Sequence, residues 1–137
     1  MSFNITSFQL NGRRALITGS GKGIGLELAR GLGAAGATVV INDRNIDKAS
    51  RVASQLRDEG ISAEFAVFDV TDREQLFAAI NTFEAETGAI DILINNAGIQ
   101  RRAPLEEYDA NDWHDLMRVN LDGVFHVSQA VARHMIA

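Results

Sequence analysis

The chain has 137 residues, of which 46% are hydrophobic and 23% charged, and its formal net charge is -5. That length suits one domain with a core of its own. The acidic balance argues against nucleic acid and anionic membrane surfaces as partners, and the lack of cysteine excludes a disulfide framework, a thiolate nucleophile and a cysteine metal site.

Residues 1–10 lack the basic start and apolar centre of a secretory leader. Asn4-Ile5-Thr6 therefore reads as a chance glycosylation match. No apolar run approaches the roughly 20 residues that span a bilayer, and the cytoplasm is the expected location. From there, short apolar runs alternate with longer helical patterns. Strands are expected at 14–18, 38–42, 63–68 and 90–95. The last contains Ile90-Asp91-Ile92-Leu93-Ile94 and suits a strand buried on both faces. Between them, Leu26, Leu28, Ala29 and Leu32 form one helical stripe. Ala49, Val52, Ala53 and Leu56 form a second, ended by Gly60. Leu76, Ala79, Ile80 and Phe83 form a third, ended by Gly88, with Thr71 and Glu74 as a capping box at its start. A last helix is expected from about Asn111 to the end, with Trp113, Leu116, Met117, Val124, Val127 and Val131 facing the core. The alternation predicts an α/β fold with a parallel sheet and right-handed crossovers. No linker, repeat or low-complexity tract divides 1–137, so a single domain is expected. The fourth strand would be left as an apolar sheet edge, which suggests the front portion of a longer protein.

The chemistry concentrates in Thr18-Gly19-Ser20-Gly21-Lys22-Gly23-Ile24-Gly25, between the first strand and the first helix. Backbone N–H groups and the positive end of a helix dipole there favour an anion such as a phosphate, and glycine allows close approach. A second glycine pattern, Gly31-Leu32-Gly33-Ala34-Ala35-Gly36, stands where a helix ends; Gly36 reads as its C-cap. Asp43 follows the second strand, eighteen residues beyond Gly25, where a dinucleotide site needs a ribose hydroxyl acceptor. It could also be a loop or capping carboxylate. Asn120 falls on the apolar stripe of the last helix, where a buried amide needs partners. Arg101 and Arg102 follow the fourth strand, at the ligand-binding end of a parallel sheet. They are solvated loop residues or, through guanidinium pairing, readers of a substrate carboxylate. His114, His126 and His134 lack metal-ligand spacing and read as surface or interface residues. Trp113 reads as core, and Glu106-Glu107 as a solvated loop or helix start.

The form Thr-Gly-x-x-x-Gly-Ile-Gly at 18–25 resembles the short-chain dehydrogenase/reductase family, and three further motifs agree with it in order and spacing: Asp69-Val70, Asn95-Asn96-Ala97-Gly98 and Val119-Asn120. The resemblance implies a Rossmann-like, doubly wound parallel sheet in three αβα layers, with strand order 3-2-1-4 in this portion and the C-terminal part of the family fold lacking. It implies an NAD(P) cofactor held by Gly19, Ser20, Lys22, Gly23, Ile24 and Gly25, with Asp43 and Arg44 toward the ribose, Asp69 and Val70 toward the adenine, and Asn96, Ala97 and Gly98 beside it. Asp43 favours NAD, whereas Lys22 and Arg44 stand where NADP-using members often carry basic residues; the choice stays open. Asn120 matches the catalytic asparagine, which helps hold a water in a proton relay. The run at 95–104 resembles the branch that interconverts gluconate and 5-ketogluconate, and sugar-acid dehydrogenases of the 2-deoxy-gluconate type look similar there. A homotetramer through residues 113–137 is implied as well. The family also needs a serine and a Tyr-x-x-x-Lys pair. The one tyrosine here, Tyr108, is followed four residues later by Asp112. A non-catalytic dinucleotide-binding module is the reading from another class.

Overall fold

The computed structural model describes residues 4–136; Met1 to Phe3, within the stretch read for a leader, and Ala137, the expected helix end, lie outside the described residues. Four parallel strands form the middle layer: β1 (Arg14–Ile17), β2 (Thr38–Asp43), β3 (Ala63–Val67) and β4 (Ile92–Ile94). They lie in the order β3-β2-β1-β4, so β1 and β2 are central. The register sets Leu16 beside Val40 and Leu93. Side chains alternate across the sheet. Leu16, Val40, Ala66 and Phe68 face α3 (Arg73–Thr87) and α5 (Gly123–Ile136), burying Leu76, Ile80, Val127 and Val131. Ala15, Ile17, Val39 and Ile41 face α1 (Gly23–Ala34) and α2 (Ile46–Asp58), burying Ala29, Val52 and Leu56. The result is the three-layer αβα architecture expected.

Where structure and sequence reading differ, the causes are local. The fourth strand pairs only over Ile92–Ile94 and its side chains are half-buried, because it lies at the edge of the described sheet. Ile90 is buried before the strand begins, and its N–H is taken by the Glu84 carboxylate at 2.8 Å. The cap of α3 is Asp72 rather than Thr71: Asp72 accepts the Gln75 N–H at 3.0 Å, while Thr71 bonds Asp69 through both its N–H and its hydroxyl. Gly36, at φ 102°, follows α1 as expected of a C-terminal glycine.

The last helical run begins one residue earlier than expected, with α4 (Ala110–Met117) capped by Asp109. It is interrupted by a π-helical turn over Arg118–Asp122 before α5. Its stripe is corrected at Trp113, which is 52% exposed rather than core. Trp113 meets the Tyr108 ring edge-on, with centroids 6.4 Å apart. Glu106 and Glu107 lie in an exposed 3₁₀ turn over Leu105–Glu107.

Candidate functional site

The turn between β1 and α1 is built around missing side chains. Gly19 and Gly23 take φ of +62° and +58°, the left-handed region that favours glycine. A Cβ on Gly25 would stand 2.5 Å from the Asn96 amide nitrogen and 2.8 Å from the Gly19 carbonyl. A Cβ on Gly21 would overlap the Asp43 carboxylate. The first turn of α1 differs from those of α2, α3 and α4. Those three helices are closed by side-chain oxygens of Asn45, Asp72 and Asp109. Lys22, at the N-cap of α1, gives no side-chain bond. The first N–H groups of that helix therefore keep their donor capacity for another acceptor.

Three polar residues hold the turn in place. The Thr18 hydroxyl accepts the N–H groups of Asn96 and Ala97, each at 3.0 Å. The Asn96 side chain donates back to the carbonyls of Thr18 and Gly19 at 2.9 and 3.2 Å. Asn42, buried at the end of β2, accepts the Gly19 N–H at 3.1 Å and donates to the carbonyls of Ala66 and Phe68, both at 3.2 Å. The glycine turn is thus tied to the C-terminal ends of three other strands. Ser20, expected among the ligand contacts, is fully buried. Its hydroxyl donates to the Ile17 carbonyl at 2.7 Å and accepts the Asn42 N–H at 3.0 Å, so its side chain shapes the turn.

Two carboxylates, Asp43 and Asp69, stand with two cations, Lys48 and Arg44, at the far end. Burial pushes the Asp43 carboxyl up, but the Lys48 ammonium, 2.6 Å away, and the N–H groups of Asn45 and Arg44 outweigh it; the net direction is below the ordinary value. Asp69 moves the same way: burial raises it, and the Thr71 N–H and hydroxyl with Arg44 outweigh that. The Arg44 guanidinium lies 3.5 Å from Asp69 and is 78% exposed. Lys22 is exposed, with no ion pair among the described residues.

These parts enclose a cavity of about 510 Å3 at the C-terminal rim of the sheet. Of the sequence-predicted residues, Gly19, Lys22, Gly23, Ile24, Gly25, Asp43, Arg44, Asp69, Val70, Asn96, Ala97 and Gly98 line it. Ser20, Arg101, Arg102 and Asn120 do not. Arg101 and Arg102 lie exposed in the following loop; the Arg101 guanidinium is held by Asp112 at 3.2 Å and its carbonyl by the Tyr108 hydroxyl at 2.9 Å. Asn120, expected to be buried, is exposed in the π-helical turn. Its amide accepts the Ile99 N–H at 2.8 Å and donates to the Ile99 carbonyl at 2.9 Å, which fixes the backbone beside Gly98. The lining also includes Val119, the first residue of the Val119-Asn120 motif, and Asn42, Lys48, Phe68 and Ile99, which the motif reading passed over. Asn42 carried a signal: it ends an apolar run that is otherwise fully buried, and a buried amide has to bond something. No group of His, Asp and Glu suited to a metal ion is found among the described residues.

Residues 13–137 match the short chain dehydrogenase family, and the chain belongs to it. Among curated relatives, a gluconate 5-dehydrogenase of Gluconobacter oxydans (strain 621H) is 55% identical over 129 residues, covering 94% of this chain and 50% of that protein. A 2-dehydro-3-deoxy-D-gluconate 5-dehydrogenase of Formosa agariphila is 40% identical over 134 residues, covering 97% and 51%. Among solved structures, a gluconate 5-dehydrogenase from Burkholderia cenocepacia J2315 in complex with NADP and tartrate superposes with a TM-score of 0.93 at 69% identity, over 94% of this chain and 51% of that one. The chain spans about half the length of the curated relatives it matches.

Proposed function

We propose that this chain forms the dinucleotide-binding part of an NAD(P)-dependent oxidoreductase that interconverts a secondary alcohol and a ketone on a sugar acid, gluconate and 5-ketogluconate in the first instance. The observation that carries the reading is the uncapped start of α1, facing a cavity where Gly19 and Gly23 take positive φ and a Cβ on Gly25 would clash. A diphosphate fits that donor set: N–H groups, a helix N-terminus and an exposed lysine. Gly19, Lys22, Gly23, Ile24 and Gly25 would hold it. Asp43 and Arg44 would meet the ribose, Asp69 and Val70 the adenine, and Asn96, Ala97 and Gly98 the inner half of the cofactor. When bound, the cofactor supplies the hydride chemistry.

Asn120 acts in this reading through Ile99, keeping the Gly98–Ile99 backbone at the cavity wall. Arg102, exposed and without a side-chain hydrogen bond or ion pair among the described residues, is available to a substrate carboxylate; Arg101 is already engaged by Asp112. No Tyr-x-x-x-Lys stands in these 137 residues, so the isolated segment is expected to bind dinucleotide without turnover. The exposed apolar side chains Trp113, Leu121 and Phe125 on the α4–α5 run support assembly of copies through that face, as a homotetramer. A cytoplasmic location fits the described residues, none of whose helices is long and apolar enough to cross a membrane.

The test is absorbance at the reduced-nicotinamide band for the protein that carries this chain, with gluconate and 5-ketogluconate and each cofactor, beside sedimentation of the same sample. Turnover with either sugar acid by a multimer is expected. Turnover only with a related sugar acid of the deoxy-gluconate type moves the substrate and keeps the reaction. Dinucleotide binding with no turnover on any sugar acid would leave the binding-module reading.

A further inference from the structure

We infer that Lys48 sets the ribose end of the cavity for a 2′-phosphate, by holding Asp43 in an ion pair; this rests on the dinucleotide reading above. An unpaired carboxylate at the end of β2 accepts a ribose hydroxyl and repels a phosphate. Asp43 is not unpaired: one oxygen takes the Asn45 N–H at 3.1 Å and the other the Lys48 ammonium at 2.6 Å. The pair is sheltered, with the Asp43 side chain 16% exposed and packed against Gly21, and Lys48 29% exposed. Screening is weaker there than at an open surface.

Lys48 belongs to α2 and precedes Ala49 on the buried stripe, so the helix itself delivers the ammonium to the cavity wall. At the ribose end two cations, Arg44 and Lys48, then balance two carboxylates, Asp43 and Asp69. Removing Lys48 leaves one net negative charge there. A phosphate monoester brings roughly two negative charges at neutral pH. Arg44 alone does not decide the matter: it is mostly exposed and shared with Asp69. Lys48 therefore acts as a positioning residue, working through Asp43.

The test is calorimetric binding of 2′,5′-ADP and 5′-ADP to the protein that carries this chain, and to Lys48→Met, Lys48→Gln and Asp43→Asn/Lys48→Met. Two Lys48 variants are used so that poor folding of one leaves the other. Loss of a charge-assisted contact predicts about tenfold weaker 2′,5′-ADP binding in either Lys48 variant. Binding of 5′-ADP should change far less. The double variant, which removes the carboxylate as well, should regain most of the lost 2′,5′-ADP affinity. Equal weakening of both nucleotides, no weakening, or no recovery in the double variant would overturn the role of Lys48 while the dinucleotide site stands. Failure of the unsubstituted protein to bind either nucleotide would remove the site itself and this inference with it.

Discussion

At the scale of single residues, the glycine turn works by what it leaves out. Gly25 is the sharpest case, since its α-carbon faces both Asn96 and the Gly19 carbonyl. Gly25→Ala should push the Asn96 amide off the carbonyls of Thr18 and Gly19. Overpacking of this kind costs about 1–3 kcal/mol, and dinucleotide affinity should fall with it. A denaturant titration beside a binding titration checks both; an unchanged midpoint and affinity would show that the turn has slack. Asp69 gives a pH-dependent case. Its folded pKa lies below the unfolded value of about 3.9. A depressed carboxylate contributes stability above the unfolded pKa and loses it as pH falls through the folded one. The deficit of Asp69→Asn relative to the unsubstituted protein should therefore be full at neutral pH and shrink below about pH 4. A deficit that stays constant into acid would mean the carboxylate charge plays no part.

At the scale of elements, the loop after β4 is held from both ends. Thr18 and Asn96 tie its start to the glycine turn. Asn120 ties Ile99 to the π-helical turn between α4 and α5. Asn120→Ala leaves both polar groups of Ile99 without that partner. Hydrogen exchange at the Ile99 amide should accelerate, with little change in the amides of β1 and β2. The expected loss is about 1 kcal/mol, because water can replace bonds at an exposed position. Exchange at Ile99 equal to that of the unsubstituted chain would remove the loop-holding role. The interruption itself was not legible in the sequence. Met117, Asn120 and Val124 keep helical spacing by count, so the residue pattern does not mark the π-helical turn over Arg118–Asp122. Asn120 is exposed within that turn, whereas Met117 before it and Val124 after it are half-buried.

At the scale of the whole molecule, the parallel αβα order was legible because β1 and β2 are apolar runs between helices whose stripes have the helical period. The cavity came from the same pattern, as the glycine turn and the ends of β2, β3 and β4 must converge on one rim of a parallel sheet. Partners brought together by folding were hidden. Lys48 is an ordinary polar position until α2 packs beside Asp43. Asn42 becomes the joint between strands only when three backbones meet at its amide. Trp113 misled for a related reason: its place on the apolar stripe suggested the core, yet it is 52% exposed while Leu116 and Met117 of the same stripe are half-buried.

The central claim is that a dinucleotide's diphosphate rests on the free N–H groups where β1 hands over to α1. Amide nuclear magnetic resonance of the labelled protein, titrated with NADP, tests it most directly. The amides of Gly23, Ile24 and Gly25 should then shift together and saturate, while those on the opposite rim, such as Ala63 and Arg14, stay in place. Saturable binding that leaves those three turn amides unmoved would contradict it.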